Sequence, residues 1–262
     1  DCAFWDLFAK NKKLPLNKLL NPDSKNGVSV YASGINPSES HEQIATAKSM
    51  GIKAFKVKIG FNHSLDIDLL ESLDNYFTND EIMMLDVNQG WNFQEAAKYL
   101  KILEDYNFSW IEEPISALSS QAEIKNIIKS TSCDLAFGEN ITSFDEFISL
   151  SQNNKSKYIQ PDLTKYGGIS LINNLSKKIQ SNKIWLHFLG GGVGLLTSAH
   201  IMSAINPSAY LETDININPL RTSLFHNELH IENGKISFND DYGIGGPLNF
   251  DTVTKYLVSS NV

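Results

Sequence analysis

The chain has 262 residues, room for one large α/β barrel or two ordinary domains, and its 42% hydrophobic and 20% charged content is that of a globular protein with a sizeable core. A net charge of -8, with no Lys/Arg cluster or basic stripe, excludes nucleic acid as an expected partner. No apolar run reaches membrane-spanning length and no signal-peptide pattern is read, while two cysteines, Cys2 and Cys133, suit a reducing compartment, so the expected location is cytoplasmic and no membrane partner is expected.

The stretch from Asp1 to Lys10 places apolar residues at 3, 4, 7 and 8 and reads as the middle of a helix. From residue 28 onward short β-branched or aromatic runs alternate with helix-period segments. The predicted strands are Val28–Gly34, Ala54–Ile59, Met83–Asn88, Trp110–Pro114, Leu135–Glu139, Tyr158–Asp162, Ile184–Leu189 and Tyr210–Asp214. Helices are predicted between them, near 39–50, 64–77, 93–105, 119–129, 142–151, 168–181 and 194–205, with Ser38, Asn92 and Thr142 as candidate caps. Strict alternation implies parallel strands with crossovers, and eight such strands close most naturally into a barrel. A doubly wound open sheet would call for a Gly-rich phosphate turn after the first strand, and Gly34-Ile35-Asn36-Pro37 is not one. The tail, Leu229–Phe238 and then Gly243–Pro247, reads as a small hairpin and loop outside the barrel.

Barrel enzymes keep their chemistry at the C-terminal ends of the strands. The second strand carries Lys56 and Lys58, two apart and therefore on one face. The third, fourth and fifth strands end with Asp86, Glu112 and Glu139. Neighbouring strands lie about 4.8 Å apart, so these carboxylates should converge and repel unless a cation sits among them. Three carboxylates with open positions suit Mg²⁺ or Mn²⁺, and no His/Cys set has zinc spacing. Glu113 should face the other way, against a supporting partner. The sixth strand ends in Asp162 and the seventh carries His187, an orienting carboxylate beside a histidine base. The eighth strand adds Glu212, a hydrogen-bonding acid or a plain cap. His200 reads as structural, and His41, His63, His226 and His230 receive no role.

In order and spacing this set resembles the mandelate racemase subgroup of the enolase superfamily over essentially the whole chain. The Lys-x-Lys strand, Asp86, Glu112 within Glu-Glu-Pro, Glu139 within Gly-Glu-Asn, the Asp162–His187 pair and Glu212 carry the resemblance. Asp162 stands where other branches of the superfamily use a lysine, so Lys165 need not be a base. The resemblance implies a modified TIM barrel, (β/α)7β, over residues 23–217. Residues 1–22 would be the terminal helix of an α+β capping domain, and residues 218–262 the return to it. It further implies Mg²⁺ held by Asp86, Glu112 and Glu139, and a small carboxylate substrate, an acid sugar or 2-hydroxy acid. Lys58 would be the base on one face, with Lys56 beside it lowering its pKa, and His187, oriented by Asp162, the acid/base on the other. Glu212 and Lys56 would contact the substrate, as would Asn88, which lines the mouth with Gln89 and Trp91. A flexible turn, Gly190–Gly194, and this polar mouth fit a polyhydroxy acid. The expected reaction is dehydration of an acid sugar through an enediolate, in a homo-oligomer. Racemisation or epimerisation of a 2-hydroxy acid is the alternative, and an inactive fragment lacking most of its cap is a third reading.

Overall fold

The computed structural model describes residues 1–258 apart from 75, 155, 227 and 228. Asn75, inside the helix expected over 64–77, and parts of the 218–262 tail therefore lie outside the described residues. The strands are β1 (Gly27–Ile35), β2 (Ala54–Lys58), β3 (Ile82–Asp86), β4 (Ile111–Glu112), β5 (Leu135–Phe137), β6 (Ser156–Ile159), β7 (Tyr210–Asp214), β8 (Ile231–Glu232) and β9 (Lys235–Ser237). Strands β1 to β6 pair in sequence, all parallel, and β7 returns to pair in parallel with β1, Val30 opposite Leu211 and Tyr31 opposite Glu212. Helices Ser40–Ser49, His63–Leu73, Phe93–Leu103, Gln121–Ser130, Phe144–Ser151, Gly168–Ser176 and Gly192–Ile205 fall between successive staves. The result is the expected modified TIM barrel.

One stave departs from expectation. Residues 184–189 occupy the seventh position but form no regular strand. Ile184 bridges Ile159, and the Trp185 N–H donates to the Ile159 carbonyl. Further along, the Phe188 N–H donates to the Glu212 carboxylate at 3.2 Å rather than to a strand carbonyl. A side chain thus takes a donor that a ladder would need.

Capping is partly as expected. Asn92 forms a capping box with Glu95, and so does Ser120 with Glu123. Ser38 instead lies inside a 3-10 turn, Pro37–Glu39, and the helix after Thr142 has Ser143 at its cap.

Two packed layers lie inside the ring. Below the mouth, Tyr31, Ala54, Met84, Trp110 and Ala136 form a separate buried cluster, flanked by Tyr158, Trp185 and Tyr210. Trp110 packs 4.3 Å from Tyr158 and edge-on at 5.2 Å to Trp185, ring geometries that aromatic quadrupoles favour. This plug fills the lower barrel with aromatic and apolar side chains beneath the charged residues of the upper end.

The expected tail hairpin is present: β8 pairs antiparallel with β9 across Asn233-Gly234, both at positive φ, as a tight two-residue hairpin turn requires. β9 also pairs with β1. The terminal helix Cys2–Lys12 and the short helix Leu16–Leu20 meet the tail at Gly243, whose N–H donates to Leu14 and whose carbonyl accepts from Leu16. His200, on the helix Gly192–Ile205, joins both: Nδ1 accepts from the Asn17 N–H at 3.2 Å and Nε2 donates to the Ile244 carbonyl at 2.9 Å. Burial pushes its pKa down to about 4. The structural reading of His200 is therefore right.

Two measurements follow. Replacing Trp110 by Ala should cost about 3–5 kcal/mol in denaturant unfolding, the range for a large buried aromatic. As pH falls from about 6.5 toward 4, the unfolded chain takes up a proton that folded His200 refuses, so stability should decline in that window. The loss attributable to His200 is on the order of 3 kcal/mol, and comparing the parent with His200→Gln across that window should reveal a flatter profile in the variant.

Candidate active site

Register places the key residues in one row. Lys58 lies opposite Asp86, and Asp86 opposite Glu112. Side chains alternate along a strand, so Lys56 points into the same interior one layer below Lys58. Lys56 is 1% exposed; its Nζ sits 2.7 and 2.8 Å from the Glu112 oxygens and 2.6 Å from Glu212 Oε1. Asp86 Oδ2 lies farther, at 3.8 Å. Burial opposes the charge on this ammonium, but Glu112 and Glu212 outweigh it and hold its pKa well above the ordinary lysine value. Lys58 is more open, 19% exposed, with Nζ 2.6 Å from Asp86 Oδ2. Two residues past the end of β2, the Gly60 N–H donates to the buried Asp66 carboxylate at 2.9 Å.

The turn after β3 is held in an uncommon conformation. Asn88 and Gln89 both have positive φ, 48° and 63°. The Asn88 N–H donates to Asp86 Oδ1 at 2.8 Å, and the Gln89 N–H to the Glu113 carbonyl at 2.8 Å. Asn88 is exposed at the mouth, its Nδ2 3.4 Å from Glu139 Oε2. Trp91 differs from expectation: it is 5% exposed and packs against His63 and Tyr99, so it does not line the mouth. Glu113, at φ 39°, faces away from Glu112 and accepts from the Asn140 backbone and side-chain N–H groups at 3.2 and 2.7 Å. That ties the end of β4 to the turn carrying Glu139. Gly138 brings this turn against β6, since a Cβ there would lie 2.5 Å from the Gln160 backbone.

Across the mouth, His187 Nδ1 lies 3.0 Å from Asp162 Oδ2. Asp162 Oδ1 accepts from the Thr164 N–H and hydroxyl at 2.7 and 2.6 Å, which fixes the carboxylate. Among the described residues His187 Nε2 has no hydrogen-bond partner, and it faces Glu139 at 3.6 Å and Glu212 at 3.8 Å. Burial opposes a proton on this ring, but Glu212, the bond to Asp162 and Glu139 outweigh it and raise its pKa. Glu212 is held down to about 2 because Lys56 and His187 outweigh its burial, so it is a carboxylate that accepts. One ammonium cannot neutralise two acids, and the surplus falls on Glu112, which burial pushes up to about 8. The Gly190–Gly194 turn is packed rather than loose: a Cβ at Gly194 would lie 2.4 Å from Phe188, and one at Gly192 2.8 Å from the Arg221 carbonyl.

Asp86, Glu112, Glu139, Asn88, Lys56, Lys58, Asp162, His187 and Glu212 are thus brought to one mouth. Two neighbours had no assigned role in the sequence reading. Lys165 Nζ pairs with Glu139 Oε1 at 2.5 Å, and Gln160 donates to Glu112 at 2.7 Å. Asp86, Glu112 and Glu139 therefore each have a lysine partner, in Lys58, Lys56 and Lys165, which relieves the repulsion that sequence reasoning assigned to a metal. Among the described residues no three His, Cys, Asp or Glu side chains are already arranged to grip one ion. The donor chemistry nevertheless fits a hard divalent cation. The five acids Asp86, Glu112, Glu139, Asp162 and Glu212 outnumber the three lysines Lys56, Lys58 and Lys165 here, and they offer oxygen donors only. Among the described residues no helix is long and apolar enough to cross a membrane.

The chain matches the family model described as enolase C-terminal domain-like over residues 39–252. It is 29% identical over 257 residues to L-talarate/galactarate dehydratase of Salmonella typhimurium, covering 95% of this chain and 62% of that protein. The structure of that enzyme liganded with Mg and L-lyxarohydroxamate superposes with a TM-score of 0.82 at 26% identity, over 97% of this chain and 64% of the other. Arabinonate dehydratase of Saccharolobus solfataricus is 28% identical, over 99% of this chain and 71% of its own length. A mandelate racemase/muconate lactonizing enzyme from Bordetella bronchiseptica superposes with a TM-score of 0.85 at 29% identity, over 96% of this chain and 70% of that one. The chain thus spans between about three fifths and three quarters of the length of these proteins. With its barrel, its row of strand-end carboxylates and its Asp162–His187 pair, the chain belongs to the enolase C-terminal domain-like family.

Proposed function

We propose that this mouth removes the proton α to a carboxylate with the help of Mg²⁺, and that the reaction is dehydration of an acid sugar. The observation that carries the reading is the placing of two proton-handling groups, Lys58 and Asp162-oriented His187, around the acids of β3, β4 and β5. The names of the dehydratase relatives and the polar mouth at Asn88 support an acid sugar over an aryl substrate.

In this reading Asp86, Glu112 and Glu139 hold the cation. When bound, the cation supplies positive charge opposite the carboxylate of the substrate as the enediolate dianion develops. Lys58 Nζ, as free amine, or His187 Nε2 takes the α-proton. His187 then gives a proton to the departing β-hydroxyl, which leaves as water, and the resulting enol tautomerises to a 2-keto acid. Asp162 holds the Nδ1 proton of His187 and so keeps Nε2 for the substrate. Lys56, buried and charged, adds fixed positive potential below the reacting carbon, and Glu212 holds Lys56 there. As a carboxylate Glu212 is an acceptor, so donating to a substrate carboxylate would require it first to gain a proton. Racemisation of a 2-hydroxy acid by Lys58 and His187 as paired bases is the second reading, supported by the similarity to a mandelate racemase-type structure.

Incubating the protein with Mg²⁺ and a panel of sugar acids in D₂O separates the two. Dehydration yields a 2-keto acid, whereas deuterium incorporation with inversion and no keto product would sink it. Lys58→Ala should abolish α-proton exchange on one face of the substrate while Mg²⁺ still binds; exchange persisting on both faces would remove Lys58 from the role of base. His187→Asn should lower turnover by about 10²–10⁴-fold, the usual worth of a general acid–base group.

A further inference from the structure

Gln160 is fully buried at the end of β6, one residue before Pro161. A residue preceding proline is pushed to extended backbone, which presets the direction of its side chain. Its N–H donates to the Phe137 carbonyl at 2.8 Å, and its backbone is pressed against Gly138. The side chain therefore leaves from a fixed point, on the same face as Asp162 two residues later. Its Nε2 donates to Glu112 Oε2 at 2.7 Å. The opposite amide orientation would set a carbonyl against a carboxylate, so this one is the attractive assignment. The amide carbonyl, Oε1, is buried and among the described residues has no hydrogen-bond partner. Among the described residues the bond to Glu112 is the one that holds the amide group, and a hydrocarbon of similar size would avoid the cost of an unpaired acceptor. The bond to Glu112 is what accounts for glutamine at this position.

The other partner of Glu112 is Lys56, whose ammonium sits almost equally far from both carboxylate oxygens, at 2.7 and 2.8 Å. A compact ammonium neutralises charge but sets direction weakly. An amide N–H prefers to lie near the carboxylate plane and so fixes its rotation.

We infer that Gln160 is a positioning residue for Glu112, setting the direction in which that carboxylate faces the mouth and thereby the affinity of the mouth for a divalent cation. The inference rests on the reading of Glu112 as a metal ligand. Isothermal calorimetry with Mg²⁺ alone tests it, with circular dichroism and Tm as folding controls. Gln160→Met keeps the length and removes the donor; Gln160→Asn keeps the amide and withdraws it by one methylene. Either variant, folded as the parent is, should bind Mg²⁺ about 10–100-fold more weakly, the usual effect of losing a group that orients a metal ligand. An affinity within about twofold of the parent in a folded variant would overturn the inference, and so would failure of both variants to fold, which would make Gln160 a packing residue. If the parent itself fails to bind Mg²⁺, it is the ligand reading of Glu112 that falls, and this inference with it.

Discussion

The upper half of the barrel depends on one buried cation. Lys56 reaches from β2 to Glu112 on β4 and Glu212 on β7, connecting three staves through a single ammonium. Its carboxylate partners are 1% and 0% exposed, so each would be a costly isolated charge without it. Removing one partner of a buried pair costs about 3–5 kcal/mol because the survivor is stranded. The charged residues of the mouth are therefore structural as well as chemical. Lys58 and His187 are held above a layer that Lys56 ties together.

Backbone conformation does the rest of the positioning. Asn88, Gln89 and Glu113 all adopt positive φ at the same end of the barrel, just past two consecutive strands, β3 and β4, and the Gln89 N–H donates to the Glu113 carbonyl. Such conformations each cost of order 1–3 kcal/mol and persist where the surroundings over-determine them. Here the gain is a turn whose N–H steadies Asp86 and a strand end whose carboxylate, Glu113, steadies the turn bearing Glu139. The expected orientation of Glu113, away from Glu112 and against a supporting partner, holds.

The ring of staves was legible because its signals are periodic: apolar runs separated by helix-length segments, several of them carrying a charged residue near the C-terminal end. The same two-residue alternation placed Lys56 with Lys58 and parted Glu112 from Glu113. What could not be read were matters of reach. The seventh stave reads as a strand from Ile184 to Leu189, yet a glutamate from the neighbouring strand takes one of its donors. Trp91 reads as a mouth residue from its place after Gln89, but its ring turns inward to His63 and Tyr99. The turn Gly190–Gly194 reads as flexible, whereas the Arg221 carbonyl leaves no room for a side chain at Gly192, nor does Phe188 at Gly194. Lys165 and Gln160 went unassigned because their importance lies in which oxygen each side chain reaches, and no spacing rule encodes that.

The parallel pairing of β1 with β7 joins residue 30 to residue 211, and it has a consequence for how the molecule comes into being. Loop-closure entropy must be met before such distant contacts reward it, which makes ring closure a late event in folding. A chain that has made only its first six staves has Lys56 and Glu112 but not Glu212, and both edges of its sheet, β1 and β6, are still open. Exposed strand edges in partly folded chains invite pairing with other chains. The nascent protein thus carries both an unsheltered edge and an incomplete set of charges until its last barrel strand leaves the ribosome, and a single act of closure seals the two together.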